Sequence, residues 1–173
     1  MSTITLTVED GTVVTDANTY YSLASADDYF EKRGNTTWIA YSNDSKTYAL
    51  IKACQYMETL PWNGVKSLSD QGLAWPRIGM VDTSGYAIDS DEIHRDIKWA
   101  QAEIAYNYVA DGDVEPNITT GEKNIIMERV DVIEIRYSGT GKSTFKTYTR
   151  VDNLLSPYLK YGGSTCIIPL IRG

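Results

Sequence analysis

Cysteine, histidine and phenylalanine are scarce in this chain of 173 residues, which holds two, one and two of them. Cys54 and Cys166 are too few for a disulfide framework or a thiolate metal cluster, and they point to a reducing compartment. A single histidine, His94, cannot build a zinc site without cysteines at ligand spacing. No Gly-x-Ser-x-Gly elbow supplies a serine nucleophile. Long apolar runs are missing too, and the mean hydropathy is −0.31, so neither a membrane span nor a membrane partner is expected. Met1-Ser2-Thr3-Ile4-Thr5 lacks the basic and apolar regions of a signal peptide. Positive charge is short: 16 Lys and Arg stand against 23 Asp and Glu, for a net −7. That balance disfavours broad, non-specific binding to nucleic acid.

The charge that is present is uneven. Residues 1–60 carry 8 acids against 4 bases and residues 61–120 carry 10 against 4, whereas residues 121–173 carry 5 against 8. With 42% apolar residues the chain can bury one core. Ile4, Leu6 and Val8 alternate in an N-terminal arm that turns at Asp10-Gly11. Ser25 is positioned to cap a helix over 26–33, stopped by Gly34. A second helix is predicted over 44–60, capped by Ser42 or Asn43, ended by Pro61 and striped by Leu50, Cys54 and Met57. The stretch 62–89 is broken by glycine and proline. A third helix is predicted over 91–109 from an Asp89/Glu92 capping box, with Ser90 as an alternative cap, and the core face Ile93, Ile97, Ala100, Ile104 and Tyr108. Ile125–Tyr137 and Ser143–Thr149 read as the two strands of a hairpin, followed by a short helix over 151–159 limited by Pro157. The predicted fold is therefore α+β, mainly α. It has an N-terminal arm, a helical bundle over 1–160 with a hairpin at about 125–149, and an extended C-terminal tail over 161–173.

Catalytic constellations are not found. Gly139-Thr140-Gly141-Lys142-Ser143 resembles a phosphate loop, but Arg136 stands where that motif needs glycine and a strand follows, so it reads as a hairpin turn. His94 reads as a surface residue, and Asp89, Asp91, Glu92 and Asp96 as acids favoured by a helix N-terminus. The 13 Tyr, 4 Trp and 2 Phe read mainly as core and loop anchors. No enzyme activity, metal or cofactor is expected. Two surfaces are candidates for binding. Arg136, Lys142, Lys146 and Arg150, near Tyr137, Phe145 and Tyr148, would face DNA or a downstream tail component. The tail joins a flexible Gly162-Gly163 to Ile167, Ile168, Leu170, Ile171 and Arg172, and would dock on its own hairpin or on another chain. At full extension it reaches about 43 Å.

Three blocks carry a resemblance. They are Val13–Tyr20 followed by Ala26-Asp27-Asp28-Tyr29-Phe30 and Arg33-Gly34; Gln71-Gly72-Leu73-Ala74-Trp75-Pro76-Arg77; and Val151–Leu159 with the terminal Arg172-Gly173. Together they resemble a family of tailed-bacteriophage proteins encoded among head-assembly genes. Its members are labelled head–tail adaptor or head-completion proteins, or putative DnaT-like single-stranded DNA-binding proteins. The adaptor label implies a virion protein made in the bacterial cytoplasm and placed at the head–tail junction. There it would form a ring, commonly a dodecamer, whose tail docks on the portal protein. Neighbouring copies, a downstream tail or nozzle protein, and DNA passing through the channel without sequence-specific binding would be its partners. The second label implies a single-stranded DNA binder.

Overall fold

Helix signals are satisfied by side-chain caps along most of the chain, and the resulting helices decide the architecture. The computed structural model describes residues 4–112 and 148–160, with the backbone of 128–130 and 133–135. Two compact units result: residues 1–114 with 149–173, and residues 115–148.

In the first unit α1 spans Leu23–Glu31, and its cap is Ser22 rather than Ser25. Ser22 Oγ accepts the Ser25 N–H at 3.1 Å, so the helix starts three residues before the expected position. Helix α2, Thr36–Ala40, is too short to show a period in the sequence; Asn35 caps it by accepting the Trp38 N–H. Helix α3, Asn43–Glu58, is capped by Ser42 and buries Leu50, Cys54 and Met57 as predicted. Helix α4, Arg95–Asp111, begins later than the capping box implied. His94 is the cap, with extended backbone and Nδ1 accepting from the Asp96 N–H at 3.3 Å. Helix α5, Thr149–Leu155, runs into a 3-10 turn over Ser156–Tyr158 that holds Pro157.

α3 packs on α4, and α4 on α5, while α1 meets α2, α3 and α4. Their shared core holds Tyr20, Phe30, Trp38, Leu50, Met57, Trp75, Ile97 and Tyr158, all less than 2% exposed. Between α3 and α4, β1 (Val65–Lys66) pairs antiparallel with β2 (Arg77–Ile78), Val65 opposite Ile78. The N-terminal arm is held from within. The buried Glu9 carboxylate accepts the N–H groups of Gly11, Val13 and Val14 at 2.8–2.9 Å. Gly11 has φ +115°, and a Cβ there would lie 1.8 Å from the Asp91 carbonyl oxygen, so only glycine fits.

In the second unit β3 (Glu128–Val130) pairs antiparallel with β4 (Ile133–Ile135), with Val130 opposite Ile133. The expected single strand over 125–137 is thus two short strands paired with each other. A two-period alternation fixes strand character but not where the chain reverses. The proposed partner strand over 143–149 lies outside the described residues up to 147, and Thr149 opens α5.

Candidate functional site

Of the residues singled out for binding, the structure describes Arg150. It lies in the first turn of α5, where its Nε donates to Glu103 of α4 at 2.5 Å. Glu103 also accepts from the Tyr29 hydroxyl at 2.6 Å, so the three residues tie α1, α4 and α5 together. Burial pushes the Glu103 carboxyl up and the Tyr29 hydrogen bond pulls it down, while Tyr29 itself is pushed up by burial and by its bond to Glu103. Arg136, Lys142 and Lys146 lie outside the described residues, as do Gly162, Gly163, Ile167, Ile168, Leu170, Ile171 and Arg172.

Other cations of the helical unit are similarly engaged. Lys46 is 4% exposed and pairs with Asp27 at 3.0 Å. Lys32 pairs with Asp28, Arg95 with Asp96, and Lys66 donates to the Gln71 carbonyl. Arg33 and Lys52 lie over the rings of Tyr29 and Tyr108. Eight of the ten Lys and Arg side chains in residues 4–112 and 148–160 have such a contact, against 17 Asp and Glu in the same residues.

The block Gln71–Arg77 is a structural lock. Gln71 Nε2 donates to the carbonyls of Leu73 and Pro76, and its Oε1 accepts the Leu68 N–H. Arg77 donates to the carbonyls of Asn63, Ala74 and Gly64 at 2.6–3.0 Å. Trp75 precedes a cis proline and stacks edge-on against Trp62 and Tyr158. Aromatics packed in this way are not a platform for bases, which needs exposed faces.

His94 is not the surface residue expected. Its side chain is 17% exposed, and Nδ1 lies 3.1 Å from the Tyr158 hydroxyl, which also donates to Asp96 at 3.0 Å. Asp96 lies in the first turn of α4, where the dipole favours it, while Asp89, Asp91 and Glu92 precede the helix. Gln101 escaped the sequence reading. It is fully buried, accepts the Tyr20 N–H, and donates to Thr19 Oγ1 and the Leu50 carbonyl. The signal was available: Gln101 falls four residues after Ile97 and three before Ile104, a polar residue inside an apolar stripe.

Among the described residues no group of three or more His, Cys, Asp or Glu could hold a metal ion, and no helix is long and apolar enough to cross a membrane. Cys54 is buried, and burial with the nearby Glu58 pushes its thiol up. A native-state thiol titration should therefore leave Cys54 unlabelled until the protein unfolds. Rapid labelling of Cys54 under native conditions, mapped by peptide mass spectrometry, would contradict this packing.

Among the described residues, Ile4, Ile39 and Tyr48 are exposed on the arm, α2 and α3, and the other exposed large apolar side chains fall on the segment between α3 and α4. Val65, Leu68, Ile78, Val81 and Tyr86 are all exposed there. They belong to one meander: Val65 lies opposite Ile78, Val81 bridges Ala87, and Ser67 Oγ bonds the Ser90 carbonyl.

A family model described as "Putative DnaT-like ssDNA binding protein" matches residues 4–173. The chain belongs to that family. No curated protein and no solved structure matches it. The family description bears on the second of the two labels implied by the three blocks, and it does not name a head–tail adaptor.

Proposed function

We propose that this member of the putative DnaT-like ssDNA binding protein family is a structural subunit of the bacteriophage head–tail junction, a ring adaptor beneath the portal. The supporting observation is the electrostatic character of the helical unit. Its described residues carry 17 acids to 10 bases, and eight of those bases are bonded to or stacked on other groups of the chain. Such a surface repels phosphate at long range, so DNA slides past it without sticking. Tyr20, Phe30, Trp38, Trp62, Trp75 and Tyr158 are spent on the core, and Tyr48 and Tyr86 are the large aromatics that stand exposed among the described residues. Assembly contacts then fall to surfaces that are apolar rather than basic: the exposed meander and the C-terminal segment with Ile167, Ile168, Leu170 and Ile171. Portal, neighbouring copies and a downstream tail protein are the partners of this reading, with no enzymatic step and no cofactor.

Quantitative mass spectrometry of purified phage particles carrying this gene tests it. Copies equal to those of the portal are expected; absence from the particle overturns the adaptor.

A second reading, single-stranded DNA binding, is carried by the family description. It would place Arg136, Lys142, Lys146 and Arg150 on the phosphates. Four such contacts give a log–log salt slope of about −3 for a single strand. Arg150 is already held by Glu103, so the slope expected from the remaining three is about −2. Fluorescence anisotropy with labelled oligothymidylate across a salt series reads this directly. No binding at low salt eliminates the second reading, whereas salt-sensitive binding by a protein missing from particles establishes it over the first.

A further inference from the structure

We propose that the exposed meander between α3 and α4 is the receptor for the C-terminal segment, Ser164–Gly173, of a neighbouring copy of this chain. Val65 and Tyr86 are 62% and 74% exposed; Val65 lies opposite the exposed Ile78, the exposed Val81 bridges Ala87 next to Tyr86, and Leu68 is exposed three residues after Val65. Large apolar side chains grouped in this way mark an interaction surface rather than the scattered exposure normal for a monomer.

Charge selects the occupant. The meander and its flanks, residues 63–92, carry Asp70, Asp82, Asp89, Asp91 and Glu92 against Lys66 and Arg77. Five acids against two bases, of which Arg77 is buried on backbone carbonyls, leave the rim acidic. Residues 161–173 contain no acidic side chain, one arginine at 172, and four large aliphatics within five positions. An apolar segment with one basic and no acidic side chain complements an apolar patch with an acidic rim.

The direction of the chain selects a neighbour over the same copy. Asn63 N–H donates to the Tyr158 carbonyl and Lys160 N–H to the Pro61 carbonyl, around an antiparallel bridge between Trp62 and Leu159. As the chain proceeds from 158 to 160, its partners run from 63 back to 61. Lys160, the last described residue, is therefore held at Pro61, on the side towards the end of α3 and not at Val65. The remaining 13 residues reach about 43 Å when extended, enough to cross to an adjacent subunit. Pro169 suits an edge contact, where its missing N–H faces away from the partner strand. A contact between two different surfaces of one chain is heterologous, so it closes into a ring or runs on as a filament.

The inference rests on reading the C-terminal segment as an assembly contact. Complementation between full-length variants tests it. A patch variant, Val65→Thr with Ile78→Thr, keeps β-branched residues at exposed strand positions; a tail variant carries Ile168→Asp with Leu170→Asp. Native mass spectrometry and sedimentation over a concentration series are expected to show wild-type chains associating. Each variant alone should associate at least about tenfold more weakly. An equimolar mixture should form a dimer that does not grow further, joining the intact patch of one variant to the intact tail of the other. Circular dichroism melts at the wild-type temperature confirm that both variants fold. Wild-type association by either variant, or a mixture that stays monomeric, overturns the proposal. A monomeric wild type overturns it as well, because the segment would then sit on its own chain or on neither. Portal capture by the patch variant separates the two failures: capture without self-association leaves the adaptor reading standing and removes this one.

Discussion

Replacing Trp75 with alanine is expected to lower stability by about 3–5 kcal/mol, the range for truncating a fully buried large aromatic. Trp75 is fully enclosed, with ring centroids 5.8 Å from Trp62 and 6.1 Å from Tyr158, both nearly perpendicular. Its backbone N–H also donates to the Tyr20 hydroxyl at 3.2 Å, which in turn donates to Glu58. Removing the indole leaves a void at the point where the loop Gln71–Arg77 meets α3 and the 3-10 turn. In a chain of this size the loss corresponds to a fall in melting temperature of roughly 6–20 °C. Trp75→Phe should lose less than half as much. The ring contacts are partly kept, and the indole N–H, buried with no hydrogen-bond partner among the described residues, is removed. Thermal unfolding followed by far-ultraviolet circular dichroism checks both. An alanine variant melting within about 2 °C of wild type would mean that the block does not lock the core. Well below its melting point the alanine variant should keep its association with partners, because Trp75 lies inside the body and not on a binding face.

That expectation follows from where the most recognisable residues lie. Asp27, Tyr29 and Phe30 of the first block, Gln71, Trp75 and Arg77 of the second, and Val151, Leu155 and Tyr158 of the third hold the helical unit together. They are legible in the sequence because a core needs specific shapes and satisfied polar groups. The surfaces proposed to act are legible only as composition: a run of aliphatics, a set of bases, an acidic rim.

Within the fold, α3 and the Ile97, Ala100 and Ile104 face of α4 could be read from spacing because a single helix fixes its own period, whereas Ile93 is buried ahead of the helix and Tyr108 is half-buried. The start of α4 could not. Asp89 and Glu92 have the spacing of a capping box, but the backbone there is committed elsewhere. The Ser90 carbonyl bonds Ser67 and the Asp91 carbonyl packs against Gly11, so the helix waits for His94. The turn-rich stretch 62–89 looked irregular because its order comes from Arg77 and Gln71 reaching carbonyls up to 14 residues away, which has no local period.

Asp27→Ala carries the second large effect, expected at about 2–4 kcal/mol. Breaking a buried pair by removing one partner leaves an uncompensated charge, typically at a cost of about 3–5 kcal/mol, and the partial exposure of Asp27 reduces it. One carboxylate oxygen, Oδ1, serves two buried donors: Trp38 Nε1 at 2.7 Å and Lys46 Nζ at 3.0 Å. The Lys46 side chain is 4% exposed and that of Asp27 33%, so the two ends of the pair are not equivalent. Without Asp27 the ammonium group keeps, among the described residues, the Trp38 ring 5.6 Å away, and the indole N–H loses its Asp27 acceptor. Lys46→Met should be milder. It leaves a carboxylate that still reaches water and still accepts from Trp38, while the methionine fills most of the vacated space. The double variant Asp27→Ala, Lys46→Met should then be more stable than Asp27→Ala alone, because the stranded charge is gone. Urea unfolding of the four proteins closes this cycle. Equal losses in the two single variants, or a double variant no better than Asp27→Ala, would show that Lys46 escapes to solvent when its partner is lost. The junction of α1, α2 and α3 would then be held by Phe30 and Trp38 packing, 4.7 Å between ring centroids, without help from the ion pair.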